Sequence, residues 1–474
     1  MKHLLILGPA LLLVFLTACG SAPSDTATTE TAATAETAAT WTVGKMEPLY
    51  RANSQGYYRT TYREREGGNT VYAYDLITRV SFDTLEEEVL CHLPGCEHDT
   101  PDCVSYINIQ TSDVILAQED GSVLVYHAAF SDQSGQNMLE SYQEILNDPA
   151  RLEEAYPGEA GKAYVQDCID MLQQPSYVDR ISADGLTRER LVTLPEGVNP
   201  GLVCRDENAL YGIVKEGIFE AATNIYGVRI GLDGQVDTFS IPDPDYTTLL
   251  GGWNGQLVLC HTRSPVDINT MYLYGNYDGY YALIAQDTHD CWLYDPATGA
   301  VDKIRLPDQN VELWQVVGDQ LLYSRKEAGR YTLCAYDLMT GEARALCEES
   351  NMGTDASPVQ NLGGMPHFVV SYLNGSITTV ELSTGLTWSQ AELGEMAEEI
   401  PAGFYVNRPV CETADGNLLL ELYSNSYRNP IYLMVPSPVT PEEDAADVSA
   451  SLQAIQDYLQ VTQDYEEAAE EPSS

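Results

Sequence analysis

Apolar and polar residues alternate along most of the chain in short runs, and turn residues cut the runs at regular places. One recurring unit is an alternating strand, an acidic turn and a glycine. Clear copies are Trp292-Leu293-Tyr294-Asp295-Pro296-Ala297-Thr298-Gly299, Ala335-Tyr336-Asp337-Leu338-Met339-Thr340-Gly341 and Val380-Glu381-Leu382-Ser383-Thr384-Gly385. Val71-Tyr72-Ala73-Tyr74-Asp75-Leu76-Ile77-Thr78-Arg79 reads as another copy, and looser ones end at Asp184-Gly185 and Asp233-Gly234. In such a turn a carboxylate caps backbone N–H groups and glycine supplies positive φ.

A second unit is a turn followed by a hydrophobic strand. It occurs at Asp120-Gly121, Asn254-Gly255, Gly318-Asp319 and Asp415-Gly416, and more weakly at Gln55-Gly56, Asn208-Ala209 and Gly364-Met365. Two hairpins per unit, repeating about every 40–65 residues, are the signature of a four-stranded propeller blade. The pattern therefore predicts an all-β chain, a single β-propeller over residues 41–440. Seven blades fit the seven turns; six or eight remain open because the first and last units are the least regular. The last strand, Ile431 to Val435, lacks the acidic hairpin, and Trp41–Tyr50 is expected to complete that blade and close the ring.

Two insertions break the rhythm. Residues 131–176, in the second blade, are helical: Met138, Leu139, Tyr142, Ile145 and Leu146 share one face, and Asp148-Pro149 restarts a helix as N-cap and first residue. Residues 262–288 carry Tyr272, Tyr274, Tyr277, Tyr280 and Tyr281 among Gly and Asp. Insertions on a propeller collect on one face, where binding happens. These tyrosines either stack on sugar rings or grip a peptide, or they pack the loop onto its own scaffold.

Charge narrows the partners. With 71 Asp plus Glu against 24 Lys plus Arg, the net charge is −47. Phosphate backbones are bound by clustered Lys and Arg, so nucleic acid is excluded. The 44% of hydrophobic residues among 474 is enough for a sizeable core, and 31 Tyr against 7 Phe favour half-buried, hydrogen-bonding aromatic positions.

Compartment is read from the N-terminus. Lys2 precedes an apolar stretch from Leu4 to Phe15 and then Leu16-Thr17-Ala18-Cys19, in the manner of a secretory signal. Those last four residues resemble the lipobox of bacterial lipoproteins, which implies a signal peptide over 1–18 and a lipidated Cys19. Residues 19–40, rich in Thr and Ala, then form a tether, and the lipid is the membrane attachment on the extracytoplasmic face. At the other end, 441–474 is an acidic tail in which Val448, Leu452, Ile455 and Leu459 mark a short helix.

The chemistry-bearing cluster is Cys91-His92-Leu93-Pro94-Gly95-Cys96-Glu97-His98-Asp99-Thr100-Pro101-Asp102-Cys103. Cys91, Cys96, His98 and Cys103 supply three thiolates and an imidazole, a set suited to tetrahedral structural zinc that would staple blade one to blade two. A disulfide clip and free thiols are the alternatives, since outside the cytoplasm thiols normally pair. Cys334 and Cys347, symmetric about Thr340-Gly341, are placed to face each other across a hairpin.

The Asp-x-x-Thr-Gly turns resemble the repeats of quinoprotein-like and WD40-like propellers. The Trp four residues after the Gly and the adjacent cysteine pair of the quinone-binding members are missing, so the resemblance implies the fold and not that cofactor. Signal, cysteine–histidine element and propeller together resemble β-propeller lipoproteins of Gram-positive anaerobes. The expectation is a binding or scaffold module that holds a glycan, peptide or envelope protein on one propeller face. The alternative is a carbohydrate-active hydrolase or lyase working with carboxylates at the tunnel. No Gly-x-Ser-x-Gly or His-Glu-x-x-His motif points to other chemistry.

Overall fold

The computed structural model describes residues 41–438 except for short internal segments, chiefly 217–223, 243–246, 264–287 and 350–358. Cys19, the tether, the five tyrosines from Tyr272 to Tyr281 and the C-terminal helix lie outside the described residues. Within them, seven antiparallel sheets form a ring, one sheet per blade, and helices are few.

Blade 1 is β2 (Ala52–Asn53), β3 (Gly56–Gly67), β4 (Thr70–Ser81) and an outer strand in two pieces, β5 (Glu87–Val89) and β6 (Tyr106–Asn108), preceded in the chain by β1 (Glu47–Pro48). Blade 2 is β7 (Ser112–Ala117), β8 (Val123–Ala128), β9 (Tyr177–Ile181) and β10 (Arg188–Thr193). Blade 3 follows as β11 (Gly201–Arg205), β12 (Ala209–Glu216), β13 (Asn224–Gly231) and β14 (Val236–Ser240), and blade 4 as β15 (Thr247–Trp253), β16 (Gln256–Arg263), β17 (Thr288–Tyr294) and β18 (Val301–Ile304). Blade 5 holds β19 (Val311–Val317), β20 (Gln320–Glu327), β21 (Arg330–Asp337) and β22 (Ala343–Glu349). Blade 6 holds β23 (Val359–Gln360), β24 (Phe368–Leu373), β25 (Ser376–Glu381) and β26 (Thr387–Ser389). Blade 7 holds β27 (Tyr405–Glu412), β28 (Leu418–Ser424) and β29 (Tyr427–Val435), three strands among the described residues.

The repeats read from sequence are the hairpins of these blades. All seven turns of the second kind precede the second strand of a blade. The acidic turns join third strands to fourth. Asp337 accepts from the N–H groups of Met339 and Thr340 at 2.9 and 2.8 Å, and Gly341 follows at φ 76°. Asp295 does the same for Ala297 and Thr298. In blade 6 the longer Glu381 takes the role, accepting from Ser383 and Thr384 N–H at 2.8 and 2.6 Å.

Three expectations are corrected. β4 runs straight through Asp75–Thr78 to Ser81, and its turn comes at 82–86 instead. No glycine follows Thr78, and Ile77, Thr78 and Val80 are β-branched, so the strand continues. Cys347 opposes Leu333 while Cys334 opposes Ala345, because a bulge shifts the register. The two thiols therefore point to opposite faces of the hairpin. Third, Trp41–Tyr50 does not complete the last blade. Its β1 pairs with β11, with Glu47 opposite Arg205 and Pro48 opposite Cys204.

This N-terminal segment sits at the end of the ring where the first-to-second-strand hairpins turn. Gly44 donates its N–H to Asp206 at 2.9 Å, Met46 packs on Gly252, and Tyr50 accepts from the Ala117 N–H at 3.0 Å. The Tyr50 ring also approaches Gly364 in the blade 6 hairpin. Burial, with Glu47 and Glu412 nearby, pushes the Tyr50 hydroxyl up to about 12. Contacts with blades 2, 3, 4 and 6, on or beside their innermost strands, lay the segment across that mouth of the central shaft.

The opposite end carries the second-to-third-strand connections. There blade 2 extends into α1 (Gln133–Asn147), α2 (Pro149–Ala155) and α3 (Gly158–Leu172). Asp148 caps α2 through the N–H groups of Ala150 and Arg151, as read from sequence. Tyr164 and Cys168 of α3 bury against Tyr72 of blade 1. Strand β16 ends and β17 begins on the side that bears the helices. A short helix in blade 6, α4 (Gln390–Glu395), starts in a Ser389/Glu392 capping box that the repeat pattern did not announce.

Candidate metal centre

The outer strand of blade 1 is interrupted. β5 pairs with β4 through Val89 opposite Thr78, and β6 resumes on the same strand with Tyr106 opposite Leu76. Residues 90–105 form an excursion between the two pieces, and the cysteine–histidine element fills it. Leu93–Cys96 closes a turn by the Cys96 N–H to Leu93 carbonyl bond at 3.2 Å, with Gly95 at φ 73°. A second turn joins the Cys103 N–H to the Thr100 carbonyl at 3.0 Å. His98 takes φ 60°, a left-handed conformation that costs a non-glycine residue energy and turns its ring back toward the thiols.

These turns bring Cys91, Cys96, His98 and Cys103 together, with one ligand atom from each lying within 4.8 Å of all the others. His98 Nδ1 is 3.4 Å from Cys103 Sγ. Zinc–sulfur bonds of ~2.3 Å in a tetrahedron separate ligand atoms by ~3.8 Å, so small side-chain adjustments seat an ion. Cys91 and Cys103 are buried, while Cys96 and His98 are half-buried. Burial opposes the Cys91 thiolate, yet the N–H groups of Leu93 and Val104 and the thiols of Cys103 and Cys96 hold its pKa below the ordinary thiol value. Cys103 is raised by burial, and the Ser105 N–H works the other way. Each of these two cysteines has the backbone N–H of the residue two positions on beside its sulfur, the kind of donor that supports a metal-bound thiolate. All four residues fit a closed metal site, and among the described residues no other such group occurs.

The loop is also docked. His92 does not join the four; its N–H and Nδ1 bond the carbonyls of Gly185 and Asp184 at 2.9 Å each, in the outer turn of blade 2. Arg188 of β10 donates to the Tyr106 carbonyl at 2.8 Å and to Asp179 at 2.8 Å. The centre thus lies at the joint between blades 1 and 2. Sequence spacing singled out the four ligands; the N–H donors and the His92 and Arg188 anchors depend on tertiary placement and left no mark in the pattern.

No family model matches the chain, and no curated protein matches it. Among solved structures it is similar to an oligogalacturonate lyase in complex with manganese, at 10% identity over 81% of this chain and 98% of that one, TM-score 0.40. It is also similar to the β-propeller domain of the trilobed protease from Pyrococcus furiosus, described as having an open velcro topology, at 9% identity over 83% and 96% of the two chains, TM-score 0.41. An oligogalacturonate lyase from Vibrio parahaemolyticus matches at 9% identity over 81% and 99%, TM-score 0.41. The likeness is one of fold. The chemistry of those proteins is not carried across at this distance.

Among the described residues, the deeply buried carboxylates have structural partners. Asp113 meets His127 at 2.9 Å, Asp179 meets Arg188 and Arg190, and Asp206 meets Gly44 and Tyr211. Glu381 holds its turn, and Glu421 accepts from Asn407 at 2.8 Å.

Proposed function

We propose that this chain is an extracytoplasmic binding platform, lipid-anchored through Cys19, that takes a glycan, peptide or envelope protein on its helix-bearing face. The observation that carries this reading is the path of Trp41–Tyr50 across the opposite mouth of the shaft. A tunnel crossed at one end is poorly suited to the paired acid and base of a glycosidase. The helical insertion and the ends of β16 and β17 rise together on the other face, as binding loops on a rigid scaffold do. Trp41 packs on Tyr211 and Phe239 of blade 3, and a tether held there would turn the insertion face outward. A carbohydrate-active hydrolase or lyase is the weaker reading.

In the same reading the four-residue centre holds one zinc ion, closed and structural. It staples the outer edge of blade 1 to blade 2. Thiolates and imidazole favour zinc over manganese, which takes oxygen donors.

A screen of pooled oligosaccharides, peptides and envelope extracts for thermal stabilisation, with the same pools assayed for turnover, tests the platform. Stabilisation without product supports it; cleavage of a polysaccharide with turnover overturns it. Metal analysis of protein purified without chelator should give about one zinc per chain. A value far below one, with cysteines paired by mass, sinks the zinc assignment.

A further inference from the structure

Cys260 on β16 and Cys291 on β17 stand directly opposite in the antiparallel ladder of blade 4. Both are free thiols and almost fully buried. Directly opposed residues share a face, with Cβ atoms about 4.5–5.5 Å apart and Cα atoms about 4.5–5.5 Å apart. A disulfide needs Cα atoms about 4.4–6.8 Å apart, so a small closing of the side chains suffices. Outside the cluster at Cys91, Cys96 and Cys103, no two other described cysteines are directly opposed in a ladder. Cys334 and Cys347 face opposite ways, Cys168 is on α3, and Cys204 and Cys411 belong to separate blades.

A base stands beside the pair. His289 opposes Thr262 one step along the same face. Its Nδ1 lies 3.7 Å from Cys260 Sγ and 3.1 Å from the Thr262 hydroxyl. Burial lowers the His289 pKa, so the ring is neutral near pH 7 and offers a proton-accepting nitrogen. Burial also pushes the Cys260 thiol up to about 12, which makes a neighbouring proton acceptor a condition of reaction.

We propose that Cys260 and Cys291 form a cross-strand disulfide by exchange with an external low-molecular-weight disulfide. Cys260 passes its proton to His289 and its sulfur attacks the external S–S bond. One external thiolate leaves, takes up a proton, and a mixed disulfide remains on Cys260. Cys291 then attacks the Cys260 sulfur, and the second external thiol leaves with the Cys291 proton. Two protein thiols are oxidised and one external disulfide is reduced to two thiols. The bond ties β16 to β17 just before the chain leaves the blade toward the insertion face. This inference stands independently of the platform reading.

The test uses the full chain, purified reduced, then exposed natively to oxidised glutathione, quenched with a maleimide under denaturing conditions and cut with trypsin. Cys260 falls in the peptide 230–263 and Cys291 in 264–303. The expected product is these two peptides joined, two hydrogen masses lighter than their sum. Cys291→Ser should instead stop at a stable glutathione adduct on Cys260, and His289→Gln should slow closure by about tenfold or more. A parallel arm in urea below the unfolding transition admits the oxidant by local opening. Both cysteines remaining fully alkylated in both arms, or pairing elsewhere, overturns the proposal.

Discussion

Arg59 of the first blade donates a 2.6 Å hydrogen bond to the hydroxyl of Tyr432 in the last blade, with its guanidinium 5.6 Å from the centroid of the same ring. Around this contact Tyr57, Val80, Val410, Cys411 and Leu419 form one buried cluster. Among the described residues the ring is joined here by side chains, and no strand of one blade enters the sheet of the other.

Tyr432→Phe should therefore weaken the seam. It removes the oxygen that accepts from a half-buried cation, an interaction worth about 1.5–3 kcal/mol. Urea denaturation should show a lower midpoint with an unchanged slope. An unchanged midpoint would mean that the apolar cluster alone holds the first blade to the last.

Gly252→Ala probes the segment over the shaft. A Cβ at this position falls 2.5 Å from Met46 Cβ, so one of the two backbones must move. Overpacking of this kind costs about 1–3 kcal/mol. Met46→Gly in the same chain, which removes that Cβ, should recover part of the loss. Equal costs of Gly252→Ala in both backgrounds would argue that Met46 is seated elsewhere.

Cys103→Ser tests the staple between blades 1 and 2. It should lower zinc content and the thermal midpoint together, and it should abolish the destabilisation that a strong chelator causes in the parent protein. A parent chain whose midpoint ignores the chelator would leave the centre without a structural role.

Glu381 offers a pH dependence with a definite sign. Burial works against its charge, but the hydroxyl and N–H donors of Ser383 and Thr384 hold its pKa below the usual carboxylate range. The native state therefore binds this proton less readily than the unfolded chain. The stabilisation is complete above the unfolded value, near 4.3, and disappears as the pH falls through the lower folded value. Glu381→Gln should cost about 1–2 kcal/mol at pH 7, and the gap between variant and parent should close in acid. A gap that does not narrow at all as the pH falls below the unfolded value would contradict this account.

The blades were legible because their turns are chemical as well as statistical. Asp295 and Asp337 carry their own hydrogen-bond partners within three residues, so the sequence contains the whole interaction. Asp75 has the same local spelling but lies inside a strand, since its neighbours offer neither a glycine nor a second turn-former. The four positions of the candidate metal centre were legible from their density in one short stretch. The pairing of β1 with β11 was not, since a two-residue strand has no periodicity and its partner lies far along the chain. Nor did anything local reveal Cys260 opposite Cys291, because that register is set across the whole of the intervening connection.

The placement of β1 also decides how the molecule answers a mechanical load. Tension applied at the N-terminus is delivered to blades 3 and 4, through a two-residue ladder and the Met46 contact, and does not reach the seam at Arg59 and Tyr432. Under pulling, the packing of Trp41, the Gly44 bond and then that short ladder stand in the path of the load. The protein would lengthen by releasing its leading strap while every blade stays folded, so the strap works as a fuse.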